Sequence, residues 1–194
     1  MRRRRGSLNF SRRRRKFNVR RLKEVSIWAG EIAAVAIFAL LLVLSFGVRT
    51  TVVGQAMADN INNGDRVYIN KLVYAISKPK AGDVIVFLPN GNENSHYYIR
   101  RVVGVPGDRV QIKDGALYIN GNLYDEANKV ASMEEAGIAE TEIQLGDDEY
   151  FVLGDNRNNS EDSRYANIGN IKKEYIVGQA WLCLENEGGI SFVH

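Results

Sequence analysis

Side chains that commonly carry out chemistry are scarce in this chain of 194 residues. It has one cysteine, Cys183, and two histidines, His96 and His194. A single cysteine excludes an internal disulfide, and these three residues lack the spacing of a zinc cluster. The apolar run AWLCL around Cys183 predicts a buried core thiol. A serine nucleophile needs an adjacent base such as a desolvated lysine, and neither Ser95 nor Lys71 lies in a motif of that kind. The sequence therefore predicts no metal and no cofactor.

A basic block followed by an apolar segment predicts that the chain is anchored in a membrane. Residues 1–23 hold 12 Lys and Arg and no acid, whereas the rest of the chain has a net charge of −9. Residues 32–48 carry no charge and, at about 1.5 Å per residue, nearly cross a bilayer core of about 30 Å. The positive-inside rule places the N-terminus in the cytoplasm. We expect a basic cytoplasmic tail (1–26), a transmembrane anchor (27–48) and an extracytoplasmic domain (49–194) at the cell membrane.

Two other interpretations of the N-terminus fit less well. A cleavable signal peptide has a shorter apolar region, of about 7–15 residues, and small residues at its cleavage site. Nucleic-acid binding is not expected, because the arginine-rich tail is tied to a membrane, where it attracts anionic lipid.

Beyond Arg49 the sequence changes to short alternating strands separated by turn dipeptides such as Asp114-Gly115. This pattern predicts an all-β domain of the sandwich or barrel-like kind. One helix is expected, from about Glu126 to Ala139, where helix-forming residues cluster. The predicted strands are 66–70, 83–88, 97–105, 109–112, 116–119, 149–154 and 175–184.

Long motifs in this domain resemble the type I signal peptidases, bacterial membrane proteases that remove signal peptides from exported proteins. The stretch VVGQAM is followed, in the order of that family, by GDRVYINKL (64–72), PKAGDVIVF (79–87), RRVVGVPGDRVQIKDGALYING (100–121) and GDNRNNSEDSR (154–164). The resemblance implies a mainly β fold: an antiparallel signal-peptidase-like domain, two-lobed and barrel-like, after one N-terminal transmembrane helix.

The resemblance also implies where catalysis would occur. Members of the family use a Ser–Lys dyad, and here Ala56 lies at the serine position and Arg100 at the lysine position. Alanine has no nucleophile, and arginine keeps its proton at the pH values proteins experience. Asp59 and Asn60 replace the Pro-Thr pair of the family, which favours a natural loss of catalysis. His96, an alternative base, lies four residues too early. We therefore predict no catalytic residue.

Without the dyad, the resemblance still implies a binding groove and a structural salt bridge. The expected groove residues are Gly54, Gln55, Met57, Arg100 and Ser160. In relatives the serine at position 160 supports the catalytic lysine, so here it has no amine to orient.

The expected salt bridge joins Asp162 to Arg101 and Arg164. We expect Arg100 to anchor either Asp162 or an acidic or C-terminal group of a partner, with projection into water as the alternative.

Three functions follow from different classes of protein. The first is a catalytically inactive membrane protein that binds exported subunits and assists the assembly of surface pili, with a pilin as its partner. The second is an active signal peptidase. The third is a purely structural subunit that recruits or stabilises an active signal peptidase. A sortase is a further candidate partner and would fit the first function. The pilus role is implied only by the resemblance to family members that lack the dyad.

Overall fold

The computed structural model describes residues 19–46, 48–58, 60–125 and 131–193. The chain divides into two compact units, Met1–Leu41 and Leu42–His194. Helix α1 (Val19–Phe46) contains 21 residues, Lys23–Val43, that are long and apolar enough to cross a membrane. Its apolar side chains, among them Trp28 and Phe38, are exposed, as a lipid-facing helix requires. The helix is consistent with a single-pass membrane protein, and its orientation remains the prediction made from the basic tail.

The second unit is mainly β and antiparallel, as the sequence predicts. The strands are β1 (Val48–Thr51), β2 (Arg66–Asn70), β3 (Val84–Phe87), β4 (Tyr98–Gly104), β5 (Arg109–Lys113), β6 (Ala116–Ile119), β7 (Asn122–Leu123), β8 (Ile143–Gln144), β9 (Glu149–Leu153), β10 (Ile171–Lys172), β11 (Ile176–Leu184) and β12 (Ile190–Phe192). A short helix, α2 (Val73–Ile76), follows β2. One sheet has eight strands in the order β1-β2-β11-β3-β4-β9-β10, with β12 paired to β11, and the other has four in the order β7-β6-β5-β8.

Strands β3, β4 and β9 form the centre of the large sheet. All four residues of β3 (VIVF) are buried, because apolar side chains pack against both faces of this central strand. Register shifts in β4 and β11 add local twist to the sheet. The small sheet has its own core around Val110, Ile112 and Phe151. Strand β4 runs through the middle of this framework and carries both Arg100 and Arg101.

The hairpin between β5 and β6 has the predicted turn. Asp114 and Gly115 both have positive φ, at 50° and 73°, as a two-residue type I′ turn requires.

The predicted helix over Glu126–Ala139 is wrong in its described part. Residues 126–130 lie outside the described residues, and within the described part, 131–139, helical structure is confined to the start of a 3-10 turn at Gly137–Glu140. Tertiary contacts take the backbone N–H groups that a helix needs: Met133 donates to the carbonyl of Gly115, and Ile138 donates to that of Arg164. Gly137 has a φ of +57°, which an α-helix does not contain.

Candidate functional site

A groove of about 220 Å³ lies between the segment after β1 and the start of β4. It contains both residues at the predicted dyad positions, Ala56 and Arg100. Its walls are largely apolar or aromatic, and its ionisable side chains are His96, Arg100, Glu161 and the two tyrosines. The complete lining is Val52, Val53, Gly54, Ala56, Met57, His96, Tyr97, Tyr98, Ile99, Arg100 and Glu161.

The segment that carries Ala56 is held by backbone contacts on both sides. The Gly54 N–H donates to Asn63 Oδ1 at 3.0 Å, and Gly54 has a φ of +95° that favours glycine. The Ala56 carbonyl accepts from the Asn156 N–H at 3.0 Å. Met57 is 2% exposed and belongs to the core as well as to the groove.

Gln55, a predicted groove residue, is not among the lining residues. Its backbone carbonyl accepts from Asn156 Nδ2 at 3.2 Å, and its side-chain Oε1 accepts from Asn159 Nδ2 at 3.3 Å. Gln55 therefore joins the groove segment to the loop that follows β9.

Arg100 is buried and binds carbonyl groups. It is 8% exposed. Its Nε and Nη2 donate to the Glu161 carbonyl at 2.9 and 2.6 Å, and its Nη1 donates to the carbonyl of Ile99 at 2.7 Å. Its guanidinium lies 5.0 Å from the ring centre of Tyr98. Burial lowers the pKa of Arg100, and the nearby Asp162 opposes that shift. The alternative that Arg100 projects into water is wrong, and its hydrogen bonds go to carbonyls rather than to Asp162.

The predicted salt bridge divides into two pairs. Arg101 binds Asp155 through two contacts of 2.7 Å, one from Nε and one from Nη2. Arg164 binds Asp162 in the same bidentate way, at 2.8 and 2.9 Å. The assignment of Arg101 to Asp162 is therefore corrected: its bidentate carboxylate is Asp155. Asn60 also donates to Asp155, at 2.6 Å, and so joins the segment after Ala56 to this pair.

Ser160 lies behind the groove and is not part of its lining. It is 8% exposed, and among the described residues its hydroxyl has no hydrogen-bond partner. The chain approaches it closely at Gly154, where an added Cβ would collide with Ser160 Oγ and lie 2.5 Å from the Ala56 carbonyl. Gly154 thus allows the loop after β9 to pack against the groove segment.

Tyr98 and Glu161 are groove residues that sequence reasoning missed. The Tyr98 hydroxyl donates to Glu161 Oε2 at 3.0 Å, and Asn167 donates to the other carboxylate oxygen at 2.8 Å. Burial, followed by this hydrogen bond, raises the pKa of Tyr98. The position of Tyr98 two residues before Arg100 in an alternating strand was an available signal, because it puts both side chains on one face.

One edge of β4 is open beside the groove. The backbone N–H and C=O of Val102 point towards β3, so alternation turns those of Ile99 to the opposite edge. Strand β9 occupies that edge only from Arg101 onward, where Arg101 pairs with Leu153. Within the described chain no strand pairs with this edge over Tyr98–Arg100, and the Ile99 carbonyl there accepts from Arg100 Nη1 at 2.7 Å. An added strand at this edge would share that carbonyl with Arg100.

The groove offers binding groups but not a Ser–Lys dyad. Among the residues that the structure describes, no serine, threonine, cysteine or lysine side chain lines it. Arg100 is a cation that does not act as a base. The arrangement can bind an extended peptide, receive small apolar side chains, and offer a positive charge at its inner end.

Comparison with known proteins identifies the family of this chain. Residues 25–184 match the family model described as signal peptidase, peptidase S26. Signal peptidase I S of Bacillus subtilis is 34% identical over 169 residues, which cover 83% of this chain and 89% of the relative. Signal peptidase I of Bacillus amyloliquefaciens is 37% identical over 158 residues, covering 78% and 83%. A crystal structure of a signal peptidase I from Enterococcus faecalis aligns with 54% of this chain and 97% of its own, at 31% identity and a TM-score of 0.43. The chain belongs to the signal peptidase family, peptidase S26, a family of serine peptidases.

Proposed function

We propose that this protein is a non-catalytic member of the signal peptidase family that binds an extended segment of an exported protein. The observation that carries the proposal is the composition of the groove. Ala56 and Arg100 lie at the positions of the nucleophile and the base, and neither side chain can perform its role. The rest of the groove consists of a buried wall at Met57 and the first residues of strand β4.

Binding without cleavage uses the open edge of β4. An extended segment that adds to a sheet edge gains affinity from main-chain hydrogen bonds, and pockets beside the edge select its side chains. The apolar side chains of Val52, Val53 and Ile99 line the groove next to this edge. None of these contacts requires a nucleophile.

The proposed partner is a pilin or another exported protein. The basic tail and α1 would hold domain 49–194 on the outer face of the cell membrane, where exported subunits emerge. The pilus role rests on the resemblance to family members without the dyad, and a sortase or an active signal peptidase would act beside this protein. Deletion of the gene should reduce pilus polymers, and normal polymers in the deletion strain would reject the assembly role.

The second candidate is an active signal peptidase, which the names of the relatives favour. It needs a nucleophile other than the residues that line the groove. To separate the two, the full-length protein in detergent would be incubated with a preprotein, with Bacillus subtilis signal peptidase I S as the positive control. We expect no cleavage. Cleavage that is lost on mutation of any single residue would establish the active enzyme instead.

Restoring the serine and the lysine is a second test of whether this protein lacks catalytic activity. Ala56→Ser with Arg100→Lys should regain little activity, since the segment after Ala56 is now held by Asn60 and not by a Pro-Thr pair. Catalytic groups must lie within about 0.5 Å of their productive geometry.

Binding itself is tested by crosslinking. A photo-reactive residue at Val53, which is 75% exposed in the groove wall, should capture an exported substrate. The same residue at Ile76, which is 83% exposed and not part of the groove lining, is the matched control. Equal capture at the two positions would contradict binding in the groove.

A further inference from the structure

Among the described residues, Arg100 is a buried cation without a carboxylate hydrogen-bond partner. Three of its five N–H groups donate to carbonyl oxygens, and no described group accepts from the other two. The ion pairs of the described chain do not include it. Arg164, which is buried, and Arg101, whose side chain is 12% exposed, each have a bidentate aspartate. A buried charge is costly unless it is paired, so Arg100 stands apart from its neighbours.

The nearby acids are already engaged. Both oxygens of Asp162 accept from Arg164, and Oδ2 also accepts from the Gly154 N–H at 3.1 Å. The Glu161 carboxylate accepts from Tyr98 and Asn167, while it is the backbone carbonyl of Glu161 that accepts from Arg100. Within the described chain, no hydrogen bond joins the remaining N–H groups of Arg100 to either carboxylate.

The sheet determines where an added strand must stop. A segment lying along the open edge beside Tyr98 and Ile99 is in line with β9, which holds the same edge from Arg101 onward. A segment parallel to β4 would therefore meet the end of β9 at Leu153, next to Arg100. An internal stretch of chain has to turn away at this point, whereas a chain end fits without a turn.

We infer that the groove binds the C-terminal end of a peptide, with the terminal carboxylate held by Arg100 beside Ala56. This inference rests on the proposed binding function. Arginine suits the role because its planar fork donates to both oxygens of a carboxylate. The ligand class is a peptide with a free C-terminus, such as the product that peptide-bond hydrolysis leaves.

The test measures the affinity of the full-length protein in detergent for three labelled peptides of about eight residues, each of alternating alanine and valine. One ends in a free carboxylate, one in a carboxamide, and one in a carboxamide after a final aspartate. We expect the free carboxylate to bind about tenfold more tightly, or better, than the plain carboxamide. The aspartate peptide should resemble the plain carboxamide.

Three variants assign the preference to Arg100. Arg100→Gln should lower the affinity for the free-carboxylate peptide to that for the plain carboxamide peptide. Arg100→Lys should retain part of the preference for the free carboxylate. Arg109→Gln, at an exposed arginine paired with Glu142, should leave the preference unchanged. Thermal unfolding of each variant checks that the fold is intact.

Each contrary result has a distinct meaning. Equal binding of the carboxylate and carboxamide peptides overturns the inference but leaves groove binding in place. A preference that persists in Arg100→Gln places the carboxylate elsewhere and also overturns it. Tight binding of the aspartate peptide shows that the groove recognises an acidic side chain and not a chain end. If no peptide binds, the inference fails, and crosslinking at Val53 decides separately whether the proposed function fails with it.

Discussion

Arg100 and Arg101 are neighbours in one strand and have opposite surroundings. Arg101 binds Asp155 through two hydrogen bonds, and Asn60 supports that carboxylate. Arg100, on the other face of β4, has among the described residues only carbonyl oxygens as acceptors, and its guanidinium lies over the ring of Tyr98. The side that holds the loops together has paired charges, and the side that lines the groove does not. Incomplete pairing of buried polar groups is expected at sites that act on a ligand.

Ser163 and Ser160 repeat the contrast within one loop. Ser163 is fully buried, and its hydroxyl accepts from the Val152 N–H at 3.0 Å. Ser160 is almost as deeply buried, but its hydroxyl has no partner among the described residues. In both pairs the scaffold residue, Arg101 or Ser163, has its polar partner. The residue near the groove, Arg100 or Ser160, lacks the corresponding partner among the described residues.

The largest difference in stability loss on mutation is expected between Arg100 and Arg101. Arg101→Gln leaves Asp155 buried without its cation and should lower the free energy of unfolding by about 3–5 kcal/mol. Arg100→Gln removes a charge that has no described carboxylate partner but also loses bonds to two carbonyls, so it should cost less, about 1–3 kcal/mol. Urea unfolding of the full-length protein in detergent measures both.

Asp155→Asn and Asp162→Asn refine this comparison. Asp155→Asn should reproduce the loss seen in Arg101→Gln, and Asp162→Asn should disturb Arg164 in the same way. If Arg100→Gln proves as damaging as Arg101→Gln, the buried guanidinium of Arg100 is a structural element and the contrast is wrong.

The second difference concerns the two serines. Ser163→Ala leaves the Val152 N–H unsatisfied in the core, which should cost about 1–3 kcal/mol. Ser160→Ala removes a hydroxyl that has no described partner, and stability should stay within about 0.5 kcal/mol or rise. The same unfolding measurement compares them, and a large loss for Ser160→Ala would mean that its hydroxyl has a partner in solution.

A smaller effect is expected at Asn60. Its side chain donates to Asp155 at 2.6 Å, so Asn60→Ala should cost about 1 kcal/mol. Asn62→Ala is the control, because Asn62 is exposed and its hydrogen bonds to Asp65 are made by its backbone N–H and C=O. Equal free energies of unfolding for the two variants would show that the Asn60 side chain does not stabilise this segment.

The sequence predicts the framework of this domain better than its contacts. Turn dipeptides and alternation place β2 and β6 at their observed bounds, since both signals are local. The helix over 126–139 fails because carbonyls distant in sequence, at Gly115 and Arg164, take its backbone donors. The partner of Arg101 is missed for a similar reason. Asp155 and Asp162 lie in one motif, and only the folded loop determines which carboxylate faces which arginine.

The smallest expected effect belongs to Tyr98, whose hydroxyl connects β4 to Glu161 on the groove side. Tyr98→Phe removes a half-exposed hydrogen bond and should cost roughly 0.5 kcal/mol, whereas Tyr97→Phe should cost nothing measurable. Because the pKa of Tyr98 is raised in the folded protein, its contribution is present below the ordinary value of 10.0 and is lost as pH rises through the folded value. The ultraviolet titration of wild type minus Tyr98→Phe should therefore show one phenol that ionises above pH 10.0. If that phenol ionises at or below the ordinary value, Tyr98 does not hold Glu161 in solution. The carbonyl contacts of Arg100 then lose the support that Glu161 gives them, and the groove side of β4 is less ordered than the scaffold side.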